Sequence, residues 1–280
     1  MRERFLMCPP DHFEVSYVIN PWMEHHVAAT SARIAERQWQ ALASLLGEVA
    51  QIESIQPIAG VPDMVFTANA GLVLENRFVA SRFRHPQRQA EEPLFAAWAA
   101  GQDFEVLRLP DDLYFEGAGD ALFDRAQALL WMGHGHRSDL RCADYLSALL
   151  DIDVAPLKLI DARFYHLDTC FCPLEGGYLM YYPGAFDAAS QALIAKRVPA
   201  PYRIAVSETD AFHFACNAVN CGRHVFLNRA LPALMTSLSK SGFTVKQTPL
   251  TEFMKAGGSA KCLTLKLDEK RIIRSDRAAA

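Results

Sequence analysis

Cys262 lies in the run Gly257-Gly258-Ser259-Ala260-Lys261-Cys262, where two glycines allow an unusual backbone path and close approach by a ligand. A free thiol is a competent nucleophile only as the thiolate, so this reading calls for a neighbouring guanidinium or imidazolium. Asp63, Glu116, Asp120 and Asp168 fall in other polar clusters of the chain. Gathered around one pocket they would repel each other, and burial would raise their pKa values, unless the ligand were a cation. A guanidinium is the natural counterpart, being planar, permanently charged and able to bind carboxylates through paired donors. His166 and Asp168 stand two apart in FYHLDTC, which on an extended strand sends both to one side. One could move a proton while the other holds charge. The competing readings are plainer: acids near turns are caps, core histidines satisfy one hydrogen bond, and most cysteines are small buried hydrophobes. We apply that last reading to Cys142, Cys172 and Cys216.

The elements that must position these residues repeat. The polar clusters are PDMVFTANAG (62–71), FEGAGD (115–120), FYHLDTC (164–170), FACNAVN (214–220) and AGGSAKCL (256–263). Marked by Asn69, Glu116, His166, Asn217 and Cys262, they are 47, 50, 51 and 45 residues apart. A supersecondary unit of that period predicts a symmetric assembly with every polar cluster at the same end. Helices are predicted over 31–52, with Thr30 or Ser31 as N-cap, and over 90–100, 139–150, 186–197 and 229–241. Apolar strands follow at 54–59, 104–110, 153–160, 202–207 and 243–250, and hairpins turn at Glu75-Asn76 and Glu175-Gly176-Gly177. The fifth cluster lacks its hairpin partner, which RFLMC (4–8) could supply, closing a ring. No low-complexity linker interrupts the pattern, so one domain over 1–280 is expected, with 268–280 as a flexible carboxyl-terminal tail.

A net charge of −4 with interspersed signs gives no footprint for nucleic acid or an anionic membrane. No run approaches 18 apolar residues, and the amino-terminal apolar stretch is broken by Pro9 and Pro10, too short for a leader. Seven cysteines without a CxxC pair read as reduced thiols in a cytoplasmic protein. His134 and His136 in GHGH share a strand face but lack a third metal ligand at suitable spacing. Gly117-Ala118-Gly119 falls short of a dinucleotide fingerprint.

The order EGAGD, GHGHRS, YHLDT, GGSAKC resembles the guanidine-modifying enzymes of the pentein fold: arginine deiminases, dimethylargininases and amidinotransferases. The stretches MCPPDHFEVSYVINPWME, PDMVFTANAGLVL, FYHLDTCFCPL and LTEFMKAGGSAKCLTL are most similar to cyanobacterial arginine dihydrolases, over about Phe5 to Leu267. The resemblance implies an α/β fold, a five-bladed propeller of ββαβ repeats with pseudo-fivefold symmetry. It implies Cys262 as nucleophile, His166 as general acid and base, and Glu116 as the carboxylate that orients His166 and contacts the guanidinium. Asp63 and Asp168 match acids that grip the guanidinium nitrogens. Asn20, Arg88 and Arg137 match positions that recognise the amino-acid end, and Asn69 the asparagine tied to the dihydrolase outcome. The implied substrate is a small molecule, L-arginine or a methylated guanidine, with no cofactor or metal and with room for a homo-oligomer. No ornithine cyclodeaminase segment is expected. Dimethylargininase and arginine deiminase are the rivals within the family; a non-catalytic arginine-binding or ribosome-binding ring is the rival from another class.

Overall fold

Five separate three-stranded sheets carry the repeat in the computed structural model, which describes residues 2–272. In chain order the strands are β1 (Arg4–Met7), β2 (Gln51–Ser54), β3 (Gly71–Leu74), β4 (Arg77–Ala80), β5 (Glu105–Leu107), β6 (Ala121–Phe123), β7 (Leu129–His134) and β8 (Asp153–Lys158). They continue with β9 (Phe171–Leu174), β10 (Tyr178–Tyr181), β11 (Arg203–Ala205), β12 (Val219–Cys221), β13 (His224–Leu227), β14 (Thr244–Gln247) and β15 (Leu265–Lys266). Each unit has one plan. An inner strand pairs antiparallel with a middle strand through a hairpin, and the middle strand pairs parallel with an outer strand. A parallel pair needs a crossover, and a helix between the middle and outer strands supplies it. The order is β3-β4-β5, β6-β7-β8, β9-β10-β11 and β12-β13-β14. These ββαβ units make the α/β propeller that the resemblance implied.

The fifth sheet, β15-β1-β2, joins the two ends of the chain. Phe5 pairs with Lys266 and Leu6 with Leu265, antiparallel, while β1 runs parallel to β2 from Arg4↔Gln51 to Met7↔Ser54. The amino-terminal segment thus closes the ring. The start of the expected tail is tied down: Arg125 holds the Glu269 carboxylate with two bonds of 2.6 and 2.8 Å. Residues 273–280 of that stretch lie outside the described residues.

The first crossover helix, Ala32–Gly47, buries Ala35, Leu42 and Leu46 on one face. It ends five residues before the predicted limit. Gln51–Ser54 forms the outer strand instead of 54–59, because its exposed Gln and Ser and half-buried Ile and Glu pair through the backbone and carry no apolar signal. Ser31 occupies the N-cap without a side-chain cap, and its N–H donates to Glu252 Oε2 at 2.8 Å. The other crossover helices, Glu91–Gly101, Cys142–Leu150, Ala188–Arg197 and Pro232–Lys240, fall within the predicted ranges or a residue of them. The hairpin turns sit at Glu75-Asn76, where Glu75 takes φ 58°, and at Glu175–Gly177. Among the described residues no helix is long and apolar enough to cross a membrane.

Candidate active site

Every polar cluster lies immediately ahead of an inner strand, so the ring brings all five to one end of its axis. The chain enters β3, β6 and β9 through tight helical turns, Thr67–Ala70, Gly117–Asp120 and Leu167–Thr169. His166 and Asp168 therefore do not sit on an extended strand. His166 precedes a turn that contains Asp168, and the two side chains reach different partners. The strand rule of alternation does not apply to a backbone that coils.

Cys262 is buried, and its thiol faces two groups. Its S–H donates to Asp168 Oδ2 at 3.4 Å, and Asn217 Nδ2 donates to Sγ at 3.1 Å. Asn217 also accepts the Cys262 backbone N–H at Oδ1, 3.2 Å, and donates to the Asp168 carbonyl at 3.0 Å. Burial pushes the Cys262 thiol well above its ordinary pKa, and the Asp168 charge pushes in the same direction. Burial also carries Asp168 up to about 7, against the opposing pull of Lys261, Cys262 and Asn217. Left to the protein alone, the thiol keeps its proton.

His166 Nε2 meets Glu116 Oε2 at 2.6 Å, with both side chains buried. Burial would raise the Glu116 carboxyl, but Arg137 and His166 outweigh it and hold the group well below the usual carboxylate range. An ionised acceptor makes Nε2 the donor in that bond. Glu116 Oε2 also accepts from Arg137 Nη1 at 3.0 Å, and Oε1 from the Arg84 backbone N–H at 3.2 Å. Arg137 continues to the Ile19 carbonyl at 3.0 Å and stacks 4.5 Å from the Tyr165 ring centre.

Asp63 accepts from the Tyr17 hydroxyl at 2.9 Å and lies 3.8 Å from Arg88 Nε. Its other oxygen, Oδ1, is buried with no hydrogen-bond partner in the protein. Arg88 grips Glu91 with two bonds of 2.7 Å and donates to Asn69 Oδ1 at 2.9 Å. Asn69 in turn donates Nδ2 to the Glu116 carbonyl at 3.3 Å. Asn20 caps the turn Pro21–Met23 through Oδ1 and donates Nδ2 to the Ala256 carbonyl at 3.0 Å.

A small cavity is lined by Asn20, Asp63, Asn69, Arg88, Arg137 and Cys262, with Phe66 and Tyr165 among its apolar walls. Six of the nine residues that the resemblance assigned to the site thus share one wall. The other three, Glu116, His166 and Asp168, stand directly behind it, each held to a lining residue or to one another as described above. Gly257, at φ 83°, lets the backbone pass Tyr165: a Cβ there would fall 2.7 Å from its hydroxyl. Among the described residues no group of three His, Cys, Asp or Glu side chains is placed to hold a metal. The sequence reading passed over Tyr17, Glu91 and Asn217. Asn217 had a signal, since it occupies the repeat position that elsewhere carries Asn69, Glu116, His166 and Cys262.

A pentein ring that buries a thiol among carboxylates is the arrangement that the resemblance led us to expect. The family model described as N,N dimethylarginine dimethylhydrolase, eukaryotic, matches residues 30–268, and the chain belongs to that family. It is 57% identical over 268 residues to the bifunctional arginine dihydrolase/ornithine cyclodeaminase AgrE of Nostoc, covering 96% of this chain and 38% of that protein. It is 37% identical to the N(G),N(G)-dimethylarginine dimethylaminohydrolase of Mycobacterium tuberculosis, covering 94% of this chain and 85% of that enzyme. Among solved structures, the substrate-bound N-terminal domain of ArgZ, a cyanobacterial arginine dihydrolase in which a cysteine is replaced by serine, superposes with a TM-score of 0.96. It is 54% identical and covers 96% of this chain and 100% of that one.

Proposed function

We propose that this chain hydrolyses the guanidino group of L-arginine twice, yielding ornithine, carbon dioxide and two ammonia molecules. The observation that carries the reading is the contact of Cys262 Sγ with Asp168 Oδ2, at a cavity where Asp63 Oδ1 lacks a donor. A guanidinium bound there offers N–H groups to Asp63 and Asp168, and its charge favours ionisation of both the carboxyl and the thiol. The nucleophile is thereby switched on by the molecule it attacks.

Cys262 thiolate then adds to the central carbon, and His166 protonates a departing nitrogen as ammonia, leaving a thiouronium on sulfur. Glu116 holds the imidazole by Nε2, and His166 next takes a proton from water as that water releases citrulline. For ornithine to form, citrulline must stay and enter a second round. Its ureido group is neutral and binds acids poorly. Asn69 suits that stage: Arg88 occupies its oxygen, the Glu116 carbonyl takes one Nδ2 hydrogen, and the other is left to donate. Arg88 and Arg137, on the cavity wall, are the cations suited to the substrate's α-carboxylate, with Asn20 shaping that end.

Purified protein incubated with arginine should release two ammonia per arginine and accumulate ornithine. Cys262→Ser should lose about 10⁴-fold or more in rate. Asn69→Ser should stop at citrulline with one ammonia. One ammonia per arginine from the unaltered chain would make it a deiminase. Dimethylamine from dimethylarginine, with arginine untouched, would favour the dimethylargininase reading that the family match keeps in view.

A further inference from the structure

The ring holds a second and larger cavity, of about 40 Å³, among its inner strands. All five inner strands line it, for instance through Val73, Leu122, Cys172, Val219 and Leu265. It therefore lies on the axis of the propeller, as a channel between the inner strands. Consecutive residues divide the two spaces: Cys262 lines the candidate active site and Lys261 lines the channel.

The channel walls are mostly hydrocarbon, yet three cations reach it: Arg125, Lys261 and Lys266. Two are neutralised within the protein. Arg125 is paired with Glu269 at 2.6 Å, and Lys266 with Glu3 at 3.0 Å. Lys261 differs. Its ammonium makes one hydrogen bond, to the Thr264 carbonyl at 3.3 Å, and among the described residues it has no carboxylate ion-pair partner. Burial disfavours its charge, and the nearest carboxylates, Asp168 and Glu269, act on it only from beyond contact distance, so an anion that enters beside it lowers that cost. With one cation lacking a direct ion-pair partner and walls that are mostly apolar, the matching guest carries a single negative charge on a hydrocarbon body.

We propose that the axial channel is a binding site for a small monocarboxylate with an apolar body, its carboxylate anchored on Lys261 and its chain lying against the five inner strands. A phosphate dianion fits less well, because Lys266 and Arg125 are already committed. Lys261 also offsets part of the burial cost that raises Asp168, so a guest on this ammonium reaches the candidate active site through its floor.

The test is isothermal titration calorimetry of sodium hexanoate into the full chain, repeated on Cys262→Ser with saturating arginine present. Hexanoate should bind with and without arginine. Lys261→Met should weaken binding by about tenfold or more, the worth of a charge-assisted hydrogen bond, while Lys261→Arg should retain it. Hexylamine, of equal length and opposite charge, should not bind in the channel. Absence of hexanoate binding, displacement by arginine, or undiminished affinity in Lys261→Met would overturn the proposal. If Lys261→Met does not fold, hexanoate and hexylamine compared on the unaltered chain decide the matter, equal affinity overturning it. None of these measurements needs turnover, so a failure of arginine hydrolysis leaves them readable.

Discussion

An asparagine amide can be placed two ways round until its partners are counted, and at Asn217 the partners leave one choice. The Cys262 backbone N–H requires an acceptor, which fixes Oδ1; the Asp168 carbonyl requires a donor, which fixes Nδ2. The second Nδ2 hydrogen then points at Cys262 Sγ, 3.1 Å away. A donor there stabilises the thiolate more than the thiol, so its loss should raise the barrier to attack rather than weaken arginine binding. Asn217→Ala should lower kcat by about 10- to 100-fold with KM little changed. It should also shift upward the pH at which iodoacetamide alkylates Cys262, followed by mass spectrometry. Asn217→Asp, which sets a negative charge beside the sulfur, should shift it further. An alkylation profile that does not move in either variant would leave Asn217 a purely structural pin.

The turn Gly117–Asp120, ahead of β6, works at the scale of an element: it lies against the turn that carries Asn69 and brings Asp120 to the Ser138 hydroxyl at 2.6 Å. A Cβ at Gly119 would run into Asn69 Nδ2, so the close approach of the two turns depends on that glycine. Gly119→Ala should push Asn69 off the Glu116 carbonyl and cost about 1–3 kcal/mol of stability. Because Asn69 is assigned to the second hydrolysis, the citrulline-to-ornithine ratio should rise as well; a lower Tm with an unchanged ratio would detach Asn69 from that step. The sequence made these five approaches to the inner strands legible, because polar residues interrupt apolar runs there at a steady interval. It hid the outer strand Gln51–Ser54, whose side chains are too polar to announce a strand. It also hid the coil at Leu167–Thr169, since a two-residue spacing looks alike whether the backbone is extended or turning. Cys262 and His166 stood out by type and context, whereas Tyr17, which bonds Asp63 from 46 residues away, had no local spacing to betray it.

At the scale of the whole molecule, gathering acids at one end of the ring makes folding itself depend on pH, with a sign that can be worked out. Burial raises Asp168 to about 7 and Asp120 to about 6, against an ordinary value of 3.8 for each. Between about 4 and 7 the folded chain therefore holds protons that the unfolded chain has released. Stability rises with pH only where the unfolded state binds more protons, so these two groups make it fall as pH rises through that window. Above it, each buried carboxylate is a full penalty; below it, the penalty is gone. Glu116 works in the opposite sense, its depressed pKa contributing stability that is lost as pH drops below the ordinary carboxylate range. Asp168→Asn isolates one contribution, since the amide keeps the shape and cannot ionise. Its Tm should match the unaltered chain near pH 4 and exceed it by a widening margin, reaching a few degrees by pH 8. Activity should be lost in the same variant, because the group that is costly to fold is the one proposed to hold the guanidinium. Scanning calorimetry across that range checks the point, and melting curves that stay parallel would mean that Asp168 is ionised in the folded chain throughout, with no proton held in reserve for a cation to displace.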